Sequence, residues 1–578
     1  MRIERLFRFP VKGLPAEEIT SAAVSAGGGL AGDRAVALGN GSTPVADGQW
    51  HSCGSFTALK NDTRLQQWLV SSAPPFITVT APATAGAAPL TFDSSDAGGR
   101  SAAADYMAAH IPAQGGHART LVAASHGMFD SRLSGISLIN PRTVEALSRA
   151  AGVELDPLRY RGNILLDGVP AFGEFELIGK VLRIGDARIA ITKSIERCPA
   201  TSVNPSTTQV DVNGPRLLAS HFGHLHCGIY GTVLDPGTLQ AGAEIHIDSN
   251  DRAALELVPA KRTPRYLDVV ERRQLDGDAV EISLRDPHGW IAAHDEAGTH
   301  LRVHLPDPLW RNYTITEVRQ DVISIAVRTA GTVSQAMARL QPGDRLLASG
   351  PHGSMTASRV LHGSTALLTA GIGITPALGL LRGAEQAPGL RELRLFHVER
   401  GSGGELFTRA AALARSLELP ARISHVDSLE GRPTAAQMAR AIDSCDSVVV
   451  CGPAGFTQLA LDACQLAGII PQNIHRETFA SPAADLGELL EQYAPARISC
   501  SSGTAGFTWR PQDGTLLEAL EAQGLNPKSS CRAGACGECV LTLRRGSVGY
   551  PLEPSARVEK HQILACMAAP AEDLELQL

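Results

Sequence analysis

Ser530-Cys531-Arg532-Ala533-Gly534-Ala535-Cys536-Gly537-Glu538-Cys539 sets three cysteines in a C-x4-C-x2-C run, and Cys566 follows after twenty-six further residues. Four thiolates at this spacing are the ligand pattern of a [2Fe–2S] cluster. A short loop wraps the cluster so that two cysteines reach one iron while Cys539 and the distant Cys566 reach the other. Gly534 and Gly537 permit the tight, partly left-handed backbone that brings amide N–H groups to the sulfides. Structural zinc favours two separated C-x2-C pairs, and Cys566 has no such partner. The expected iron ligands are therefore Cys531, Cys536, Cys539 and Cys566. A one-electron carrier needs something that feeds it and something that it feeds.

The totals leave room for both. At 578 residues the chain exceeds a single core, and about 100–200 residues per domain gives roughly three to five. A hydrophobic content of 44% with 19% charged residues is that of a folded soluble protein. Fifty-nine acidic against 52 basic residues, a net charge of −7, argues against nucleic acid as a partner. No apolar run reaches the length of a membrane span. The N-terminus, Met1-Arg2-Ile3-Glu4-Arg5, lacks the apolar core of a signal peptide, so the cytoplasm is the expected compartment. Of the eleven cysteines, those outside the cluster read as small buried hydrophobes, with Cys198 and Cys451 set in more suggestive surroundings.

Upstream of the cluster loop, the strand pair Arg497-Ile498-Ser499 and Gly506-Phe507-Thr508-Trp509 precedes a helix with Leu516, Leu517 and Leu520 on one face. Hairpin, helix and loop in this order resemble a plant-type ferredoxin fold, expected over 494–578. Residues 356–482 read as an α/β domain: the buried strand Thr365–Ala370 turns through Gly371-Ile372-Gly373-Ile374-Thr375-Pro376 into a helix. Glycines there let amide groups at a helix start approach a pyrophosphate. A second strand ends in Cys451-Gly452-Pro453, which resembles the C-G-P motif beside the nicotinamide in ferredoxin-reductase-type proteins. Glu399 suits a ribose diol and hence NADH, while Arg400 beside it suits NADPH as the alternative. Residues 260–355 alternate like the strands of a β-barrel and contain Arg311-Asn312-Tyr313-Thr314, similar to the R-x-Y-[ST] flavin signature of that superfamily. The resemblance implies that Arg311 holds a flavin phosphate, Tyr313 packs on the isoalloxazine and Thr314 bonds its N5 region. It also implies that Ser334 meets the pyrophosphate of FAD, with FMN as the alternative. From 264 to 578 the order resembles the oxygenase reductases with a C-terminal ferredoxin.

The first 248 residues carry separated motifs: Phe9-Pro10-Val11-Lys12-Gly13, Gly32-Asp33-Arg34, Arg159-Tyr160-Arg161-Gly162-Asn163, Arg197-Cys198-Pro199-Ala200-Thr201, Asn204-Pro205 and Phe222-Gly223. Together they resemble the MOSC family, with an N-terminal β-barrel over 1–95 and the MOSC domain over 96–248. Members that look like this carry a molybdenum cofactor and reduce N-hydroxylated compounds. By motif, the resemblance puts the molybdenum ligand and catalytic residue at Cys198 and the cofactor contacts at Lys12, Arg34, Arg161, Asn163, Thr201 and Asn204. A thiolate is a natural ligand for a soft metal, Arg197 next door would favour the thiolate, and the basic residues suit a pterin phosphate. The sequence departs from the family at Gly13, where Ser is frequent, and at Asn204, where Asp is usual.

The expected architecture is thus multidomain: a β-rich MOSC region, a β-barrel flavin domain, an α/β nucleotide domain and an α+β ferredoxin domain. Only a flavin converts the electron pair of a hydride donor into single electrons for a cluster. The sequence therefore reads as a self-contained chain from NAD(P)H through flavin and [2Fe–2S] to molybdenum. It would reduce a small N-hydroxylated substrate with no separate electron-transfer partner. The alternatives are a reductase component of an oxygenase system with an accessory MOSC domain, and a MOSC sulfur carrier using Cys198.

Overall fold

A computed structural model describes all residues except 125, 131–134, 249–262, 306–308, 478–488, 502–505, 526, 530–531, 535–536, 552–553, 555, 557 and 560. The chain divides into two compact units, one of Met1–Ala260 and one of Lys261–Leu305 with Leu309–Leu578. Among the described residues no helix is long and apolar enough to cross a membrane.

The first unit is built on an eight-stranded sheet. Its principal strands are β1 (Arg2–Arg8), β2 (Ile136–Ile139), β3 (Ile164–Asp167), β4 (Ala187–Glu196) and β5 (His226–Asp235). They lie in the order Glu17–Ile19, β1, β3, β2, β5, β4, Val181–Ile184, His246–Asp248. β1 pairs antiparallel with β3, Leu6 opposite Ile164. The boundary expected at residue 95 therefore does not separate two sheets, because the opening strand is completed by partners more than 130 residues away. Helix α1 (Pro141–Ala151) starts where the sequence says it should. Asn140 accepts the Arg142 N–H at 3.0 Å, proline occupies the first turn and Gly152 closes the helix at φ +69°. Its Val144 and Leu147 are buried.

The second unit carries three consecutive domains. The strands β6 (Arg265–Gln274), β7 (Ala279–Arg285), β8 (His300–His304), β9 (Trp310–Arg319), β10 (Val322–Arg328) and β11 (Arg345–His352) close into a barrel in the order β6-β7-β10-β9-β8-β11. Alternate residues such as Ile323, Ile325 and Val327 fill its interior. A short helix α2 (Thr332–Ala338) follows β10. Next come β12 (Gly363–Ala370), α3 (Ile374–Leu381), β13 (Leu390–Glu399), α4 (Gly404–Ser416), β14 (Ala421–Asp427), β15 (Ser447–Cys451), α5 (Ala454–Leu466) and β16 (Ile474–Glu477). The strands form a parallel sheet, β14-β13-β12-β15-β16. Its central strands are continuous apolar runs because helices cover both faces.

The last domain contains β17 (Ala496–Cys500), β18 (Phe507–Trp509), α6 (Leu516–Ala522), β19 (Val540–Arg545), β20 (Gln562–Leu564) and β21 (Leu574–Gln577), with sheet order β18-β17-β21-β19-β20. The expected hairpin is present, Ile498 opposite Phe507. α6 is opened by a reciprocal cap between Thr515 and Glu518 and buries Leu516, Leu517 and Leu520. Burial of each leucine contributes about 2 kcal/mol.

Candidate functional site

Cys531 and Cys536 lie outside the described residues. The other two expected iron ligands are buried and their sulfurs stand 3.1 Å apart, with no disulfide between them. Cys539 immediately precedes β19 and Cys566 sits just past β20, its antiparallel neighbour, so the ladder itself brings them together. This suits a shared iron. The Gly534 N–H points at Cys566 Sγ from 3.4 Å, and Gly534 and Gly537 take φ +64° and +76°, the left-handed backbone expected of them. Tyr550, not singled out by the sequence, accepts the Leu564 N–H at 3.0 Å beside the pair, and burial raises its phenol.

In the parallel sheet the chain leaves β12 for β13 on one side and continues to β15 on the other. The switch point where such sheets bind nucleotides therefore lies at the ends of β12 and β15. Both expected loops are there. Gly371 takes φ +54° in the turn from β12 into α3. A Cβ on Gly373 would lie 2.4 Å from the Cys451 carbonyl oxygen and 3.0 Å from Gly452 Cα, so the two loops pack backbone to backbone. Thr375 donates its hydroxyl to the Ile372 carbonyl at 3.0 Å and fixes the turn, while Pro376 is buried in α3. Pro453 immediately precedes α5. Cys451 is buried, and burial together with Glu477 pushes its thiol well above the ordinary value.

Arg311, Tyr313 and Thr314 all lie on β9. Burial pushes the Tyr313 phenol up to about 12 against the opposing pull of Arg311. Among the described residues the buried Thr314 hydroxyl has no hydrogen-bond partner, a position that costs free energy unless a ligand fills it. Its methyl lies 2.9 Å from where Gly379 of α3 would carry a Cβ. The helix that starts at the nucleotide turn thus packs directly on the flavin-signature strand. Ser334 is differently employed: its hydroxyl accepts the Gly331 N–H at 2.9 Å and the Ala330 N–H at 3.0 Å, shaping the start of α2.

In the first unit the scattered motifs converge. Lys12 is buried and pairs with Asp130, also donating to the Met128 carbonyl at 2.9 Å. Arg34 and Arg161 both lie over the Phe9 ring, at 4.7 and 4.5 Å, and Arg34 pairs with Asp33. Partial burial, then repulsion from Arg34, pushes Arg161 down to about 10. Both arginines take left-handed backbone, φ +47° and +51°, a strained choice for residues with a Cβ. Cys198 is exposed and lies in the neighbourhood of Arg161, Tyr230 and Cys53. Three cations face two carboxylates beside an accessible thiol, which fits an anionic group with a metal on the sulfur. Residues 130–246 match the MOSC domain model, and residues 502–571 match the model for a 2Fe-2S iron-sulfur cluster binding domain.

The ferredoxin reductase component of 3-ketosteroid-9-alpha-monooxygenase from Mycobacterium tuberculosis is 30% identical over 247 residues, 40% of this chain and 68% of that protein. The chain belongs to the ferredoxin-reductase family, fused to a MOSC domain. Another relative of this reductase is the phthalate 4,5-dioxygenase oxygenase reductase subunit of Pseudomonas putida, 27% identical over 53% of this chain and 94% of its own. Among solved structures, phthalate dioxygenase reductase covers 55% of this chain and 98% of its own at 24% identity and a TM-score of 0.33. The two curated relatives are named as a component and a subunit, against the expectation that no separate electron-transfer partner is needed.

Several sequence assignments take a different form in the reductase. Arg197 spends its guanidinium on backbone, donating to the carbonyls of Cys227 at 2.7 Å and Tyr160 at 2.8 Å. Thr201 donates to the Cys198 carbonyl at 3.0 Å. Asn163 holds Ser137 and the Phe7 carbonyl, and Asn204 caps its own turn at Ser206 and donates to Asp211. Thr201 and Asn204 shape the segment that follows Cys198, while Asn163 ties the start of β3 to β1 and β2. Gly13 explains its own departure from Ser, since at φ +90° a Cβ would lie 2.7 Å from the Thr57 carbonyl oxygen. Asp130 and Tyr230 went unnoticed in the sequence, and Cys53, read there as a small buried hydrophobe, is only partly buried; all three come from distant segments and no local pattern marks them.

Proposed function

We propose that this chain is an NAD(P)H-oxidising reductase that delivers electrons singly, through its [2Fe–2S] domain, to a separate acceptor of the oxygenase type. The observation that carries the reading is the contact of α3 with Thr314, in which the helix that follows the turn of Gly371 and Gly373 packs, at Gly379, on the strand that carries Arg311 and Tyr313. Arg311, Tyr313 and Thr314 would hold FAD, which when bound converts between an electron pair and single electrons. Gly371, Gly373, Thr375 and Pro376 would cradle the pyrophosphate, and Cys451, Gly452 and Pro453 would wall the nicotinamide. The names of the relatives as reductase components support a separate acceptor. The decisive experiment compares Cys566→Ser with the wild type. The variant keeps NADH-driven ferricyanide reduction and loses cytochrome c reduction, whereas loss of both, or of neither, would contradict the order of carriers.

A second reading is favoured by the pocket of Lys12, Arg34 and Arg161 around the exposed Cys198. In it the first unit would be the acceptor: the cations would hold a pterin phosphate and Cys198 would ligate molybdenum, a cofactor that when bound would supply reduction of N-hydroxylated substrates. Metal and pterin analysis of protein from a molybdenum-cofactor-competent host separates the readings. Stoichiometric molybdenum lost in Cys198→Ala, with NADH-driven benzamidoxime turnover, supports the second, and a metal-free first unit sinks it.

A further inference from the structure

We propose that the nucleotide is NADH, and that Asp276 of the flavin barrel acts with Glu399 to bar the 2′-phosphate of NADPH. The inference rests on the reading of the parallel sheet as the nucleotide site. β13 follows β12 in that sheet and ends at Glu399, where an acidic side chain meets a ribose 2′-hydroxyl. Immediately after it, Arg400-Gly401-Ser402-Gly403-Gly404 opens α4. As a sequence, an arginine and a glycine turn at a helix start would suit a 2′-phosphate.

The structure fills that place with carboxylates. The Glu405 N–H, in the first turn of α4, donates to Asp276 Oδ2 at 2.9 Å. The Gly401 N–H donates to Asp427 Oδ1 at 2.8 Å. A Cβ built on Gly404 would lie 3.7 Å from Glu399 Oε2 and 3.8 Å from Asp276 Oδ2, so carboxylates from two domains close on one point. Both are held. His397, buried and stacked on Phe407 at 5.1 Å, contacts Glu399 Oε2 at 3.1 Å through one ring nitrogen and the Thr369 hydroxyl at 2.9 Å through the other. α4 is clamped to the barrel by Arg273, which pairs with Glu405 at 2.7 Å and Glu281 at 2.6 Å. A phosphate of about two negative charges arriving here meets two fixed like charges, with the exposed Arg400 opposing them. A ribose hydroxyl meets an acceptor already oriented.

The test is flavin reduction by NADH and by NADPH, followed by stopped flow on the flavin-loaded full-length protein. The wild type favours NADH in kcat/KM by about a hundredfold, taking about tenfold for each fixed charge. Asp276→Asn keeps an oxygen for the Glu405 N–H while removing the charge, and narrows the preference about tenfold. The double variant Asp276→Asn/Glu399→Gln brings it near unity, and adding Arg400→Ala restores part of the preference by removing an exposed cation that would meet the phosphate. If Asp276→Asn does not fold, Asp276→Ser carries the same prediction. Equal use of both nucleotides by the wild type overturns the proposal, as does an unchanged ratio in the Asp276 variant. If neither NADH nor NADPH reduces the flavin, the nucleotide-site reading is overturned, and the proposal falls with it.

Discussion

Gly373→Ala isolates the contact between the two nucleotide loops. Gly373 has ordinary right-handed backbone, so alanine adds no conformational strain and the whole effect is steric. The new Cβ would lie 2.4 Å from the Cys451 oxygen and 2.7 Å from its carbonyl carbon, against an ordinary contact of about 3.4 Å. The loops must separate by about 1 Å, and neither contact atom is a flexible side-chain end. Overpacking of this kind costs about 1–3 kcal/mol, and a displacement of about 1 Å between reacting groups costs about a hundredfold in rate. We expect hydride transfer from NADH to the flavin, followed by stopped flow, to slow about 10- to 100-fold. Reduction of flavin and cluster by dithionite, which needs no nucleotide, stays as in the wild type. Gly455→Ala, where a Cβ meets nothing within 4 Å, is the matched control and leaves the rate within about twofold. A wild-type rate in Gly373→Ala would refute the claim that these loops form the nucleotide site.

Thr314→Val removes a buried hydroxyl without a partner, so the flavin-free protein gains about 1–2 kcal/mol while flavin retention weakens. A less stable apoprotein in a chemical melt would contradict this. Asp211 is held down to about 2, chiefly by its 2.6 Å bond from Arg159. A depressed carboxylate stabilises the fold above about pH 4 and loses that contribution as the pH falls toward 2. Asp211→Asn should therefore cost about 1 kcal/mol near neutrality, with the gap in melting temperature closing between about pH 4 and 2. A gap independent of pH argues against the pair. Iodoacetamide should alkylate Cys198, which is exposed, well before Cys451, which is buried. Peptide mass spectrometry that finds the reverse order would contradict the burial assigned to both.

The domain order was legible because each module has a local signature. The cysteine spacing, the Gly371-Ile372-Gly373 turn after an apolar strand and Arg311-Asn312-Tyr313-Thr314 are read within a few residues, and the structure sets the turn at the end of its strand and Arg311, Tyr313 and Thr314 along theirs. Side-chain direction was not legible. Arg197 neighbours Cys198 in sequence yet spends its guanidinium on the carbonyls of Cys227 and Tyr160, and Ser334 spends its hydroxyl on the turn that presents it. Nor was convergence over long separations. Asp130 meets Lys12 across 118 residues and Asp276 caps α4 across 129, and neither carries a pattern of its own. β1 looked like the start of an independent barrel because its partner β3 lies so far downstream.

The account stands on electrons leaving NADH through the cluster seated on Cys539 and Cys566. Freeze-quench electron paramagnetic resonance on the full-length, iron-loaded protein mixed with NADH tests it directly. The account predicts the signal of a one-electron-reduced [2Fe–2S] cluster, growing as the flavin bleaches and absent in Cys566→Ser. A flavin that bleaches fully while an intact cluster stays oxidised would contradict it.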